Sequence, residues 1–236
     1  MSEKSMRSNA YWSGRADEYS ALHMKAFGTE KKDRFAKQVD SALQLVQTGR
    51  MPLRALDLGC GSGFMSLILL EQGCEVTGVD FSAEMLAHAR DNVASFGYDA
   101  TFLQMAAQSL ELPDASFDLV VSRNVTWVLE DVDDVYAEVF RVLAPGGVFL
   151  NMDANYGRGF NEADNRGETP THPTQTLEQL RERNEIARDL AITLADRPSW
   201  DIGQFWQLGA SEVRCRRIGE GQNAGPTQMF ALEVRK

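Results

Sequence analysis

An apolar run that breaks on three glycines, Ala55-Leu56-Asp57-Leu58-Gly59-Cys60-Gly61-Ser62-Gly63, followed at once by an amphipathic segment from Phe64 to Leu70, constrains this chain more than any other feature. The pattern reads as strand, tight turn, then helix. Glycines admit positive φ and let backbone N–H groups come close to a ligand at a helix N-terminus. A second apolar strand, Glu75 to Val79, delivers Asp80 21 residues after Gly59, where a carboxylate accepts hydrogen bonds from ribose hydroxyls. The combination describes a cradle for an adenosine derivative. A glycine turn that only packs strand on helix is the alternative reading of G-x-G alone, and the two acids argue against it.

Charge decides which derivative. A dinucleotide loop faces a pyrophosphate, which the carboxylate of Asp57 at the end of the first strand would repel, and Phe64 stands where the third fingerprint glycine belongs. S-adenosylmethionine carries an ammonium and a sulfonium, which the same carboxylate attracts directly or through water.

Four segments extend this reading: Asp57 to Phe64 (D-L-G-C-G-S-G-F), Val79 to Leu86 (V-D-F-S-A-E-M-L), Phe117 to Val121 (F-D-L-V-V) and Arg141 to Phe149 (R-V-L-A-P-G-G-V-F). In order and spacing they resemble the successive signatures of the class I S-adenosylmethionine-dependent methyltransferases, over roughly residues 50 to 155. From Gly157 on, the chain resembles that family only in its alternation of helix and strand. The resemblance implies that Asp57 holds the cofactor's amino group, that Gly59 and Gly61 pack on its methionine and ribose, and that Asp80 binds the ribose. It also places Phe81 and Met85 on either side of adenine and the backbone near Ala107 at its edge. Ala106 stands where relatives commonly carry an acid for the adenine amine, and Gln108 is the candidate substitute. Arg123, at the end of the fourth strand, joins the cofactor-binding set. Tyr11, Trp12 and Tyr19 are candidates to cover the methionine moiety from an N-terminal lid; the alternative is that these rings staple an N-terminal helix to the core.

Strand and helix alternate along the chain: strands at Leu53–Leu58, Glu75–Val79, near Ala100–Leu103 and Asp118–Ser122, and helices at Lys31–Gln47, Phe64–Leu70, Ala83–Ser95 and Val132–Leu143. Such alternation predicts an α/β fold with a doubly wound, mostly parallel sheet. Pro145-Gly146-Gly147 is expected to end the last of these helices, before a strand from Val148 to Met152. A stretch rich in Gly, Asn, Asp and Pro, Ala154 to Thr176, reads as an active-site loop or lid. A charged amphipathic helix is expected from Leu177 to Leu194, with Leu180, Ala187, Leu190 and Leu194 on its stripe. Strands at Ala210–Arg216 and Thr227–Arg235, separated by the glycine-rich 219–225 segment, close the chain. By resemblance they complete a seven-stranded sheet with one antiparallel strand at the C-terminus. The expected organisation is one domain over 1–236, with a lid at 1–29, a cofactor-binding core at 50–155 and a loop and helix over the acceptor site at 156–200.

The acceptor side falls on Arg123-Asn124-Val125-Thr126-Trp127. The segment N-V-T-W keeps the amide and aromatic ring of the N-P-P-Y motif of amino-group methyltransferases but neither proline. Asn124 is expected to accept from an amine N–H and Trp127 to cover a flat or cationic acceptor, unless Trp127 is simply core and Asn124 caps a turn. Candidate bases are Asp153, Tyr156 and His172. No residue spacing suggests a metal site. Three cysteines, Cys60, Cys74 and Cys215, without ligand spacing point to a reducing cytoplasm rather than a disulfide framework. No apolar run approaches the about 20 residues of a membrane span, and no leader segment is evident in Met1 to Asn9. The net charge of -10, from 24 basic and 34 acidic residues, disfavours nucleic acid as a partner. The chain is therefore read as a methyltransferase acting on N, S or O of a small molecule. The alternatives are an amino-group methyltransferase of nucleic acid or protein, and a noncatalytic S-adenosylmethionine-binding protein.

Overall fold

The structure, a computed structural model, describes residues 2–156, 175–188, 190–218 and 229–236. Its strands are β1 (Arg54–Leu58), β2 (Glu75–Asp80), β3 (Thr101–Gln104), β4 (Phe117–Arg123), β5 (Leu143–Ala154), β6 (Glu212–Arg217) and β7 (Met229–Arg235). They form one sheet in the order β3-β2-β1-β4-β5-β7-β6. The strands from β3 to β5 pair in parallel, and β7 runs antiparallel to both β5 and β6. The doubly wound, mostly parallel sheet with an antiparallel C-terminal strand is thus present as expected.

Helices cover both faces, which is why the central strands are apolar throughout rather than alternating. On one face lie α3 (Glu30–Leu43), α4 (Phe64–Glu71) and α5 (Ala83–Ser95), where Val39, Ile68 and Ala89 pack with Ala55, Leu119 and Val121 of the sheet. On the other face lie α6 (Val132–Val142) and α9 (Ser199–Gln207), where Val139, Tyr136 and Phe205 pack with Leu56, Val120 and Phe149. Because side chains alternate along a strand, Asp57 shares the face of Ala55 and looks toward α4.

Several elements differ from expectation. The N-terminal segment is two helices, α1 (Glu3–Ser13) and α2 (Ala16–Phe27). Ser2 caps the first by accepting from the backbone N–H of Ser5. Only Tyr11 in α1 and Ala16, Ser20 and Phe27 in α2 are buried, so the apolar periodicity that would announce them is thin. The helix expected at Leu177–Leu194 is divided into α7 (Leu177–Arg188) and the short α8 (Ala191–Leu194); Leu190, buried and extended, stands just ahead of the second. α9 carries little signal in the sequence, because Pro198 and Gly203 interrupt the pattern of Trp200, Ile202 and Phe205. Most of the Ala154–Thr176 loop, His172 with it, and the 219–225 segment lie outside the described residues.

Pro145-Gly146-Gly147 falls inside β5, not between a helix and a strand. α6 stops at Val142, Leu143 already pairs with Phe117, and the register slips before Val148 pairs with Leu119. Gly146 occupies the left-handed region, φ +77°, and joins three segments there. Its N–H donates to the carbonyl of Lys236 and its carbonyl accepts from the N–H of Gln47 at 2.8 Å. A Cβ would come within 3.2 Å of the Gln47 backbone. Gly146→Ala is expected to destabilise the fold by about 2 kcal/mol or more, from left-handed strain of roughly 1–2 kcal/mol plus the backbone clash. Urea unfolding measures this, and a loss below about 0.5 kcal/mol would show that the junction relaxes freely.

Candidate cofactor and acceptor site

β1 ends at Leu58 and the chain turns through Gly59, Gly61 and Gly63, all at positive φ, into α4. At Gly59 a side chain is excluded by neighbours as well as by φ, since a Cβ would lie 2.4 and 2.8 Å from the Val125 methyls. The loop after β4 therefore rests directly on the turn after β1.

Asp80 fixes the other side of the turn. Its Oδ2 accepts from the N–H of Gly61 at 2.8 Å and its Oδ1 from the N–H of Ser82 at 2.9 Å. Ser82 in turn caps α5 through the N–H of Met85 at 3.1 Å. Burial pushes the Asp80 carboxyl above the ordinary range, and the hydrogen bonds from Ser82 and Gly61 oppose it.

Asp57 is 1% exposed and accepts from the Ser66 hydroxyl at 2.6 Å. Burial pushes its carboxyl up to about 6, against the opposing Ser66 hydrogen bond and the charge of Arg123. Asp57 pairs with Val121 of β4, and two residues further along that face stands Arg123. Its guanidinium lies over the rings of Phe35 and Phe64, at 5.1 and 4.8 Å, and donates to Nε2 of His23 at 3.0 Å. A guanidinium has no acceptor, so Nε2 of His23 must accept; in the neutral ring Nδ1 then carries the proton toward the Ser62 hydroxyl at 2.8 Å. The Nε of Arg123 is buried without a hydrogen-bond partner among the described residues.

A cavity of about 880 Å³ opens in front of these strand tips, at the upper end of small-molecule sites, which run roughly 300–1,000 Å³. Its wall brings together Tyr19, Asp57, Gly59, Gly61, Asp80, Phe81, Met85, Ala107, Gln108 and Arg123 with the acceptor candidates Asn124, Trp127 and Tyr156. Ala106 reaches the wall beside Gln108. Two expected residues do not reach it. Tyr11 is turned into the packing of α1, its hydroxyl accepting from Arg15 at 2.7 Å and its ring meeting Trp12 edge to face. One step along the helix, Trp12 takes the place at the wall.

Asp153 is the second, and its burial rules it out as a base facing the acceptor. It is wholly buried behind the short 3₁₀ turn Thr126–Val128. There it accepts from the Thr126 hydroxyl at 2.5 Å, the Trp127 N–H at 3.0 Å and Nη1 of Arg197 at 3.2 Å. Arg197 also donates to Thr126 at 2.7 Å and pairs with the equally buried Asp201 at 2.7 Å; Asp201 accepts in addition from the Tyr136 hydroxyl. Burial holds the Asp153 carboxyl above its ordinary range, opposed by Arg197 and Thr126.

Asn124 sits at φ +58°. Its carbonyl accepts from the Trp127 indole at 3.0 Å, and its Oδ1 accepts from the Tyr156 hydroxyl at 3.0 Å. The amide oxygen expected to face an acceptor's N–H thus already takes one hydrogen bond, from Tyr156. Trp127 is both readings at once: 7% exposed, packed with Ala187, Val128, Trp12 and Tyr156, and still part of the cavity wall. Sequence reasoning missed His23, Arg183 and Asn184 at that wall. A signal existed for the last two, since they fall three and four residues after Leu180, in the phase of the α7 stripe. Among the described residues no group of three His, Cys, Asp or Glu side chains is arranged to hold a metal.

The network behind the turn yields a direct expectation. Arg197→Met removes the cation shared by two buried carboxylates and should cost about 3–5 kcal/mol of stability. Chemical denaturation provides the check, and a loss under about 1 kcal/mol would mean that Asp153 and Asp201 do not depend on Arg197.

Residues 56–151 match the family model described as a methyltransferase domain. The demethylmenaquinone methyltransferase of Thermus thermophilus is 37% identical over 141 residues, covering 58% of this chain and 61% of the relative. The malonyl-[acyl-carrier protein] O-methyltransferase of Enterobacter lignolyticus is 41% identical over 95 residues, 40% of this chain and 36% of the relative. The matched region thus spans about a third to three fifths of these curated relatives. Among solved structures, Haemonchus contortus phosphoethanolamine N-methyltransferase 2 in complex with S-adenosyl-L-methionine superposes with a TM-score of 0.57 at 18% identity, covering 89% of this chain and 59% of that one. The strand order and the glycine turn agree with the match of residues 56–151 to a methyltransferase domain, and the chain is similar to S-adenosylmethionine-dependent methyltransferases over that region.

Proposed function

We propose that this chain transfers a methyl group from S-adenosylmethionine to nitrogen, sulfur or oxygen of a small molecule. The observation that carries the reading is the pair of opposite charges at neighbouring strand tips, Asp57 on β1 and Arg123 on β4, beside a glycine turn and the second carboxylate of Asp80. A methionine tail is a zwitterion, and this pair is its complement. When bound, the cofactor supplies an electrophilic methyl carbon on a positively charged sulfur. Asp57 holds the ammonium, and the buried Nε of Arg123 gives the carboxylate a donor. Asp80 binds the ribose, Phe81 and Met85 flank adenine, and Ala107 and Gln108 meet its edge.

Transfer by in-line displacement relies on proximity and orientation, so rigid placement of the acceptor is the main task of the remaining wall. In this reading residues 50–155 form the cofactor-binding core, the N-terminal helices close over it through Trp12 and Tyr19, and Tyr156 with α7 shapes the acceptor side, within one domain. The global charge of -10 supports a small acceptor over nucleic acid. The three free thiols support a reducing, cytoplasmic setting. Among the described residues no helix is long and apolar enough to cross a membrane.

Binding should depend on pH through Asp57. Its folded pKa lies above the ordinary carboxylate value, so the protonated form is favoured by the fold, and the free protein loses that stabilisation as pH rises from about 4 through about 6. The cofactor's ammonium favours the ionised form. Affinity for S-adenosylhomocysteine, which keeps that ammonium, should therefore rise with pH through about 6 and level off above it, weaker by about tenfold at pH 5 than at pH 7. Titration calorimetry across this range is the test, with Asp57→Asn expected to bind less tightly and to lose most of the slope. Absence of binding to the wild type would overturn the function, and an unchanged slope in Asp57→Asn would overturn the role of Asp57.

A further inference from the structure

Arg123 reaches the cofactor turn with little to fix its direction. An arginine side chain has many rotamers open to it, and this one rests on the rings of Phe35 and Phe64, flat surfaces that hold a guanidinium at a height but not at an angle. Asp57 acts on it through charge but accepts no hydrogen bond from it among the described residues. The acceptor that the guanidinium does meet is Nε2 of His23, 3.0 Å from Nη2.

His23 comes from outside the sheet, on α2, and is itself held in place. Its Nδ1 lies 2.8 Å from the hydroxyl of Ser62 in the glycine turn. Its ring meets Tyr19 edge to face at 5.7 Å and leans on Phe64 at 5.5 Å, so one phenyl ring supports both the imidazole and the guanidinium. Ser62 is wholly buried. Asn92 of α5 donates to its carbonyl at 2.9 Å and to the hydroxyl of Ser20 on α2 at 3.0 Å, which ties the turn and the helix that carries His23 to one residue. With Nδ1–H directed at Ser62, Nε2 is the accepting nitrogen of the neutral ring. The ring is both placed and set to receive a donor, and that donor is Arg123.

With Nη2 drawn to His23, the Nε of Arg123 stays buried without a partner among the described residues. Both side chains line the cavity beside Gly59 and Gly61. A guanidinium that is already oriented loses less freedom on meeting a carboxylate, and pre-organisation of this kind appears as affinity. We propose that His23 is a positioning residue, which fixes the Arg123 guanidinium so that its unpartnered Nε meets the carboxylate of the cofactor's methionine tail. The inference rests on the methyltransferase reading and on the part of Arg123 within it. The anion end of the cofactor site is thus completed by a helix outside the 50–155 core.

The test is titration calorimetry on the full chain with S-adenosylhomocysteine and with its decarboxylated analogue, which keeps the ammonium and lacks the carboxylate. The variants separate the two ring nitrogens. The amide of His23→Gln extends to where Nε2 meets Arg123, whereas that of His23→Asn reaches only as far as Nδ1 and Ser62. His23→Leu should weaken S-adenosylhomocysteine about tenfold and the analogue by less than about twofold. His23→Gln should restore most of the lost affinity, and His23→Asn should not. A merely structural His23 would weaken both ligands alike and be served as well by Asn as by Gln. Either result, or an unaltered affinity in His23→Leu, would overturn the inference; if His23→Leu does not fold, the Gln and Asn variants decide between the two roles. Equal binding of the two ligands by the wild type would overturn it as well and leave the methyltransferase reading standing. Failure of S-adenosylhomocysteine to bind at all would strike that reading, and the inference with it.

Discussion

The two backbone hydrogen bonds that Asp80 accepts, from Gly61 and from Ser82, hold the site together. One ties the turn after β1 to the tip of β2, and the other ties that tip to the first turn of α5. Parallel neighbours end level with each other, so a short side chain on one strand reaches the loop of the next. The same geometry lets Val125, after β4, close against Gly59. Three adjacent strand tips are thereby locked in place, and the ligand-facing groups ride on the sheet rather than on free loops. Asp80 keeps lone pairs in excess of these two bonds, which allows a structural clamp to bind a ribose as well.

Behind the acceptor wall a different device does comparable work. Asp153 lies at the end of β5 and holds the Thr126–Val128 turn by its hydroxyl and backbone donors, while Arg197 and Asp201 complete the pairing from the far side. Buried carboxylates that share one guanidinium are costly to separate, so the turn that carries Trp127 has little freedom. Rigidity here matters because an in-line displacement depends on the orientation of the acceptor.

The sequence reveals the sheet and the cofactor half better than the acceptor half, for identifiable reasons. Glycines at fixed offsets, an acid at each of two strand tips and strongly apolar strands are local signals, and Asp57, Gly59, Gly61 and Asp80 all stand at the cavity as read. Tyr11 and Asp153 lie off the wall because one residue of helical or strand phase separates a wall position from a buried one: of the neighbouring candidates Tyr11 and Trp12 only Trp12 reaches the wall, and Asp153 is buried behind the 3₁₀ turn. The helices α1, α2 and α9 carry few apolar positions or are interrupted by Pro and Gly, so tertiary packing, not periodicity, makes them. The partnership of Asn124 with Tyr156, and of Asp153 with Arg197 44 residues away, depends on which segments meet in space, and no local pattern encodes it.

Net charge and local charge also part company here. The chain is strongly acidic overall, yet the cavity wall carries Arg123 and Arg183 as well as Asp57, Asp80 and Glu130. Surface carboxylates are screened within about 8–10 Å at physiological salt, whereas charges inside a cavity with aromatic walls are screened far less. Selection between an anionic and a cationic ligand is therefore set by the few buried groups. The global excess of acid acts at longer range, where it disfavours polyanions such as nucleic acid.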